Sequence, residues 1–98
     1  MLVMLAYDTP EAKHQTLLRQ EFERLGGVRV QYSIYIFEGE THECQRVIRF
    51  MKRVSNGIPG DIRLLPMEKS TWESQIMIGE CIPADPANSV FEVFVKFW

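Results

Sequence analysis

An α+β sandwich is the fold this sequence predicts, and three observations carry the prediction. The chain opens on an apolar run, Leu2-Val3-Met4-Leu5-Ala6-Tyr7, that stops at Asp8-Thr9-Pro10. Two later segments repeat apolar residues at helical spacing. Around them lie runs rich in β-branched and aromatic residues. Strands and helices therefore follow one another along a short chain. One sheet with helices on a single face is the layer arrangement that buries both kinds of apolar surface.

Periodicity alone does not separate a buried strand from a piece of buried helix in the opening run. Pro10 does. The residue before a proline is pushed out of the helical region, so Thr9-Pro10 ends a strand and opens a helix. Asp8 then stands at the carboxyl end of a central strand, where an acid has little to do for folding.

In the next segment Leu18, Phe22 and Leu25 recur at helical spacing and Leu17 widens the stripe. Thr9 suits the N-cap, Pro10 the first turn and Gly26 the left-handed exit. Residues 28–37 then alternate, with Val28, Val30, Tyr32, Ile34 and Ile36 against Arg29, Gln31, Ser33, Tyr35 and Phe37. That period of two predicts one long strand, ended by Gly39. In the second helix Val47, Phe50, Met51 and Val54 form the apolar stripe. Glu40 and Glu43 sit early in it, and Arg49, Lys52 and Arg53 late, as the helix dipole favours.

Residues 55–60 read as a loop and 61–67 as a strand. Residues 68–73 read as a polar connection carrying Trp72, and 75–79 as a short strand or extended piece. Residues 81–89 are a connector, and 90–98 are strongly strand-like. So apolar a terminus must be covered by its own sheet or a partner's. The order predicts a ferredoxin-like βαββαβ sandwich with an additional C-terminal strand. Residues 1–79 form the core domain, and 80–98 the connector and strand that touch a dimer mate or another partner.

A chain of 98 residues is one domain. A domain of this size is only moderately stable alone, so homo-oligomerisation is expected. The net charge of -2 argues against a protein coated in positive charge but leaves room for a local basic patch. Cys44 and Cys81 are well separated and read as reduced thiols in the cytosol. No run approaches the roughly 18 apolar residues a membrane span needs. The start lacks the pattern of a secretion signal. The expectation is a cytoplasmic chain with no membrane contact.

Several pieces appear together in one family's order and spacing. They are Tyr7-Asp8 after the apolar start, the Pro10 helix, and Gly26 followed by Arg29-Val30-Gln31-Tyr32-Ser33. Glu38-Gly39-Glu40, Ile62-Arg63-Leu64-Leu65-Pro66 and Ile76-Met77-Ile78-Gly79 follow. Over residues 1–79 the chain resembles the CRISPR-associated protein 2 family. The resemblance implies a ferredoxin-fold homodimer whose strand-end aspartates face each other across the dimer axis, and by position that aspartate is Asp8. It implies C-terminal segments that cross onto the partner's sheet or cap their own. It further implies either metal-dependent cleavage of RNA or DNA, or a structural bridge between dimers of an integrase, CRISPR-associated protein 1, during spacer acquisition. The chain departs from the family in two places. Lys13-His14-Gln15 stands where members often carry arginines, and Ile34-Tyr35-Ile36 intervenes before Phe37-Glu38.

Asp8 then has two readings. One is a cap for the helix that begins near Pro10. The other is a magnesium ligand and catalytic carboxylate, since magnesium keeps several waters and one carboxylate per subunit suffices for a shared site. Two facing carboxylates repel unless a cation sits between them. A metal held there would activate water for phosphodiester cleavage. Arg46, Arg49, Lys52 and Arg53 form the densest basic run. It is either a solvated face or a surface that holds a duplex backbone without reading bases. Lys13, Arg19 and Arg24 would extend it.

His14 and His42 read as surface residues, and His42-Glu43-Cys44 lacks the ligand count of a zinc site. Neither cysteine is paired with a base. Ser33, with Tyr32 or Tyr35, either lines a cleft near Asp8 or simply packs in the sheet, and packing is preferred. Trp72, Phe91, Phe94, Phe97 and Trp98 read as core or dimer interface. The leading expectation is a homodimeric CRISPR adaptation subunit that binds duplex DNA and bridges integrase dimers, with magnesium-dependent endonuclease chemistry as an added activity. The alternative is a magnesium-dependent endoribonuclease acting on single-stranded RNA, or a toxin-like ribonuclease outside CRISPR.

Overall fold

Leu2–Asp8 forms the first strand, β1, and the sheet is laid around it. The structure, a computed structural model, describes residues 1–79. Neighbouring side chains on a strand point to opposite faces. Leu2 and Val3 are both fully buried, so β1 is covered on both sides, as an unbroken apolar run requires. Helix α1 spans Ala12–Arg24, and strands β2 (Val28–Gln31) and β3 (Ile34–Glu38) follow. Helix α2 (Thr41–Ser55), strand β4 (Asp61–Met67) and the short helix α3 (Lys69–Glu73) complete the described order. The sheet order is β2-β3-β1-β4, and every neighbouring pair is antiparallel. This is the ferredoxin-like α+β arrangement that the sequence predicts.

The two faces of the sheet carry separate apolar clusters. Val3, Leu5, Tyr35 and Phe37 meet Leu18 and Phe22 of α1 and Cys44, Val47 and Met51 of α2. On the other face Leu2, Val30 and Ile36 are buried, with Met4, Ile34, Met67 and Trp72 packed against them. Trp72 is thus a packing residue, as expected. It is delivered by α3, where the polar composition of 68–73 predicts only a connection.

The stretch 28–37 is a hairpin rather than one long strand, with Tyr32 and Ser33 at the turn. Gln31 lies opposite Ile34, and the register shifts between Arg29 and Gln31. A two-residue turn does not interrupt the alternation, so a period of two runs straight through it. Tyr32-Ser33 also lacks the Asn-Gly signature of primed hairpin turns. Among the described residues no non-glycine has positive φ, so the turn is not of that type. The irregular register re-aims the strand instead, as a bulge does.

Helix α1 begins later than Pro10 suggests. Its N-cap is Glu11, in extended conformation, and the Glu11 carbonyl accepts from the His14 and Gln15 amides. Thr9 is only 3% exposed, and its carbonyl accepts a 2.8 Å bond from Gln15 Nε2. Tertiary burial holds Thr9 in place of a capping role. At the other end Gly26 has φ 106°, the left-handed exit its sequence position predicts. Residues 75–79 form neither strand nor helix. Residues 80–98, with Cys81 and the predicted terminal strand, lie outside the described residues.

Candidate functional site

Asp8 is the last residue of β1. Alternation from Leu2 places it on the sheet face away from α1 and α2. Its register partner on β4 is Asp61, so two carboxylates stand opposite each other. Arg63 engages one of them, donating from Nε to Asp61 Oδ1 at 2.8 Å and from a terminal nitrogen to Oδ2 at 2.9 Å. These bonds hold the Asp61 carboxyl below its ordinary range, and the same pair pushes Arg63 up. Asp8 is exposed, and its side chain has no hydrogen bond or ion pair among the described residues. Its reading as a helix cap is therefore corrected: α1 starts at Ala12, and its cap is Glu11. Gly60 packs onto this strand end. A Cβ there would lie 2.5 Å from the Asp8 carbonyl oxygen, and its φ of +116° is one that L residues rarely adopt.

The donor set decides what a metal would find. Among the described residues no group of three or more His, Cys, Asp or Glu stands together to hold an ion. At this strand end the described residues offer one uncommitted carboxylate, Asp8. That suits magnesium, which takes one or two carboxylates and fills its remaining positions with water and substrate phosphate oxygens. It does not suit zinc, which needs three or four protein ligands.

The basic residues divide between two places. On α2, His42, Gln45, Arg46, Arg49, Lys52 and Arg53 are exposed along one outer face. Their spacing of three and four residues makes them neighbours on the helix. Arg46, Arg49 and Lys52 have no carboxylate partner among the described residues. Arg53 and Arg24 both lie over the Phe50 ring, 5.9 and 5.1 Å from its centroid. Arg24 thereby joins the α2 patch from α1, while also bonding Glu21 at 2.7 Å. Charge along α2 is polarised. Glu38, Glu40, Glu43 and Glu68 ring its start, where a phosphate would be repelled.

Lys13 and Arg19 are not part of that face. Lys13 pairs with Glu11 at 3.4 Å. Arg19 lines a recess of about 160 Å3 with Tyr7, Gln15, Arg29, Tyr32 and Tyr35, to which α2 contributes nothing. No role for this recess is legible in the sequence. The available signal was Arg29, an arginine beside a tyrosine-rich run, but one long strand places it on a plain polar face. The hairpin sets Arg29 opposite Tyr35 instead. Ser33 acts through its backbone, its carbonyl accepting from the Tyr7 amide at 3.2 Å, which is ordinary sheet bonding.

His42 is exposed, as expected, whereas His14 is half-buried and its Nδ1 has no partner. Cys44 is free and fully buried, its thiol directed at the Met1 and Gly39 carbonyls. Burial pushes that thiol up, the opposite of what a nucleophile needs. No helix among the described residues is long and apolar enough to cross a membrane.

The family model described as CRISPR associated protein Cas2 matches residues 1–75. The chain belongs to the CRISPR associated protein Cas2 family. The match covers β1 through α3, which is the whole ferredoxin-like unit and both basic surfaces. Cas2 membership supports a CRISPR-associated role and CRISPR-system partners. No curated protein matches the chain.

Proposed function

We propose that this Cas2 family chain serves CRISPR adaptation in the cytoplasm as a homodimer that holds duplex DNA by its phosphates and bridges integrase dimers of CRISPR-associated protein 1. The single observation that carries the reading is the outer face of α2, where Arg46, Arg49 and Lys52 project without acidic partners among the described residues. Unpaired cations in a row suit a regular array of phosphates, and contacts of that kind position a duplex without reading its bases. A dimer presents two such faces. Ile76 and Ile78 are 86% and 94% exposed, and Leu65 is half exposed on β4. This apolar edge is surface that a second copy would cover. The test is duplex binding by the full chain across a salt series, with single-stranded RNA as competitor, and integrase capture with and without residues 80–98. Affinity that is indifferent to salt, or integrase binding that survives the truncation together with unchanged spacer acquisition, would sink the reading.

A second reading, magnesium-dependent phosphodiester hydrolysis, is favoured by one observation. Asp8 is an exposed carboxylate with no folding partner among the described residues, and its neighbour Asp61 is already neutralised by Arg63. Asp8, with the same residue of a dimer mate, would hold the magnesium. The ion supplies a water activated for attack on phosphorus. Asp8 is exposed at the end of β1, open to a cation. Cleavage by an Asp8→Asn variant at the parent's rate, in matched magnesium, would refute it.

A further inference from the structure

The Asp8 carboxylate has no partner among the described residues, but the backbone that carries it is held from three sides. On the β3 side the pairing stops at Ala6, opposite Ile34, and one further bond runs from the Tyr7 amide to the Ser33 carbonyl at 3.2 Å. On the β4 side Asp8 opposite Asp61 is the final rung. Gly60, one residue outside that rung, seats against the Asp8 carbonyl oxygen and the Thr9 Cα. The last rung of a strand is where local opening begins, so Asp8 needs support from beyond the sheet. That support comes from α1. Gln15 Nε2 donates to the Thr9 carbonyl at 2.8 Å, reaching back six residues across the turn. The Thr9 hydroxyl is buried with no partner among the described residues, so the Thr9 side chain adds no polar anchor of its own.

Resting on the magnesium reading of Asp8, we infer that Gln15 is a positioning residue for that cation site. Its side-chain amide fixes the turn that follows Asp8, and so the point from which the carboxylate is presented. Magnesium tolerates little departure from octahedral geometry, and a ligand is usually oriented by a hydrogen bond to its own side chain. Asp8 has no such bond among the described residues, so its orientation has to come from the backbone. A site shared with a dimer mate would feel any displacement of this strand end twice. Of the three contacts, the one from Gln15 is made by a side chain, so it can be removed with the strand pairing left intact. Gln15 is half-buried and belongs to neither apolar cluster. A purely structural role would show as lost stability. A positioning role shows as lost metal affinity at constant stability.

The test is a titration of the full, nitrogen-labelled chain with magnesium chloride, observed at the Asp8 and Thr9 amides. Sodium chloride at equal ionic strength is the blank. The variant is Gln15→Met, which keeps the length, neutrality and helix preference of the side chain and removes the N–H donor. It is expected to bind magnesium about fivefold more weakly, the loss typical of one net hydrogen bond. Its melting temperature and the amide resonances of Leu2 to Leu5 are expected to match the parent's. In the metal-free variant the Asp8 amide is expected to show a lower heteronuclear Overhauser effect, because the strand end is freer. Thr16→Val, a neighbouring change on α1 that leaves the Gln15 bond in place, is expected to bind as the parent does. A Gln15→Met chain that binds magnesium as tightly as the parent, or loses affinity only in step with its melting temperature, overturns the positioning role and leaves the magnesium reading standing. A parent whose shifts are reproduced by sodium chloride overturns the magnesium reading and the positioning role with it.

Discussion

Asp8 and Asp61 stand opposite each other where β1 pairs with β4, and Arg63 holds only Asp61. Like charges placed directly across an antiparallel pair destabilise it. The chain answers that repulsion on one side and leaves Asp8 open. Asp8→Asn should therefore leave thermal stability unchanged or slightly raised in the absence of divalent ions. The same substitution should abolish any rise in melting temperature on adding magnesium. Scanning calorimetry of parent and variant, with and without magnesium, checks both outcomes. A marked loss of stability in the metal-free variant would return Asp8 to a structural role.

The ion pair on Asp61 has a defined pH signature. A carboxylate whose folded pKa is depressed contributes stability above its unfolded pKa and loses it as pH falls through the folded value. The stability difference between the parent and Asp61→Asn should be present at neutral pH and vanish on acidification below the ordinary carboxylate range. Both side chains face solvent, so the difference should be small and should shrink in salt. Melting curves across an acid series, at low and high salt, decide it. A difference that grows with acidification contradicts the pairing.

Replacing Arg46, Arg49 and Arg53 by Gln should weaken duplex binding to a similar degree for unrelated sequences. The dependence of log affinity on log salt should flatten by about 0.9 for each phosphate that is no longer neutralised. Fluorescence anisotropy with two unrelated duplexes tests this. Weakening confined to one sequence would mean base readout, which this patch of exposed cations is not built to perform.

Gly60 is the position where loop and site meet. Gly60→Ala places a Cβ against the Asp8 carbonyl and forces a left-handed φ on a residue that resists it. We expect destabilisation of about 1–3 kcal/mol and displaced backbone resonances at Asp8 and Thr9. Gly57→Ala is the matched control, having positive φ but open space around its Cβ position. Equal effects from the two variants would show that φ strain alone, rather than contact with Asp8, accounts for the loss.

Much of the fold is legible in local signals. The proline after Asp8, the Leu18–Phe22 stripe and Gly26 bound the first strand and helix because each acts within a few residues. The hairpin at Tyr32-Ser33 is not legible in that way. Alternation is unchanged by a two-residue turn, and the turn carries no glycine to mark it. The site divides along the same line. Arg46, Arg49, Lys52 and Arg53 fall on one face because helical spacing is a local property. Arg19 belongs elsewhere because the recess walls are set by how α1 lies on the sheet, while Lys13 pairs locally with Glu11, two residues before it.

The sequence by itself determined that a buried strand ends in an acid, that two amphipathic helices follow extended segments, and that the second helix carries a cationic face. Those are consequences of side-chain period and of proline and glycine geometry, which need no distant contact. Only the tertiary structure decided that Asp8 has no partner among the described residues. Its register neighbour comes from residue 61, and Arg63, two positions further on, is what takes that neighbour out of play. Only the tertiary structure brought Arg29, Tyr35 and Arg19 around one recess, because a hairpin and a helix crossing are needed to join positions 19, 29 and 35. Strand pairing is a long-range choice, so whether a residue is chemically free depends on what the rest of the chain sets opposite it.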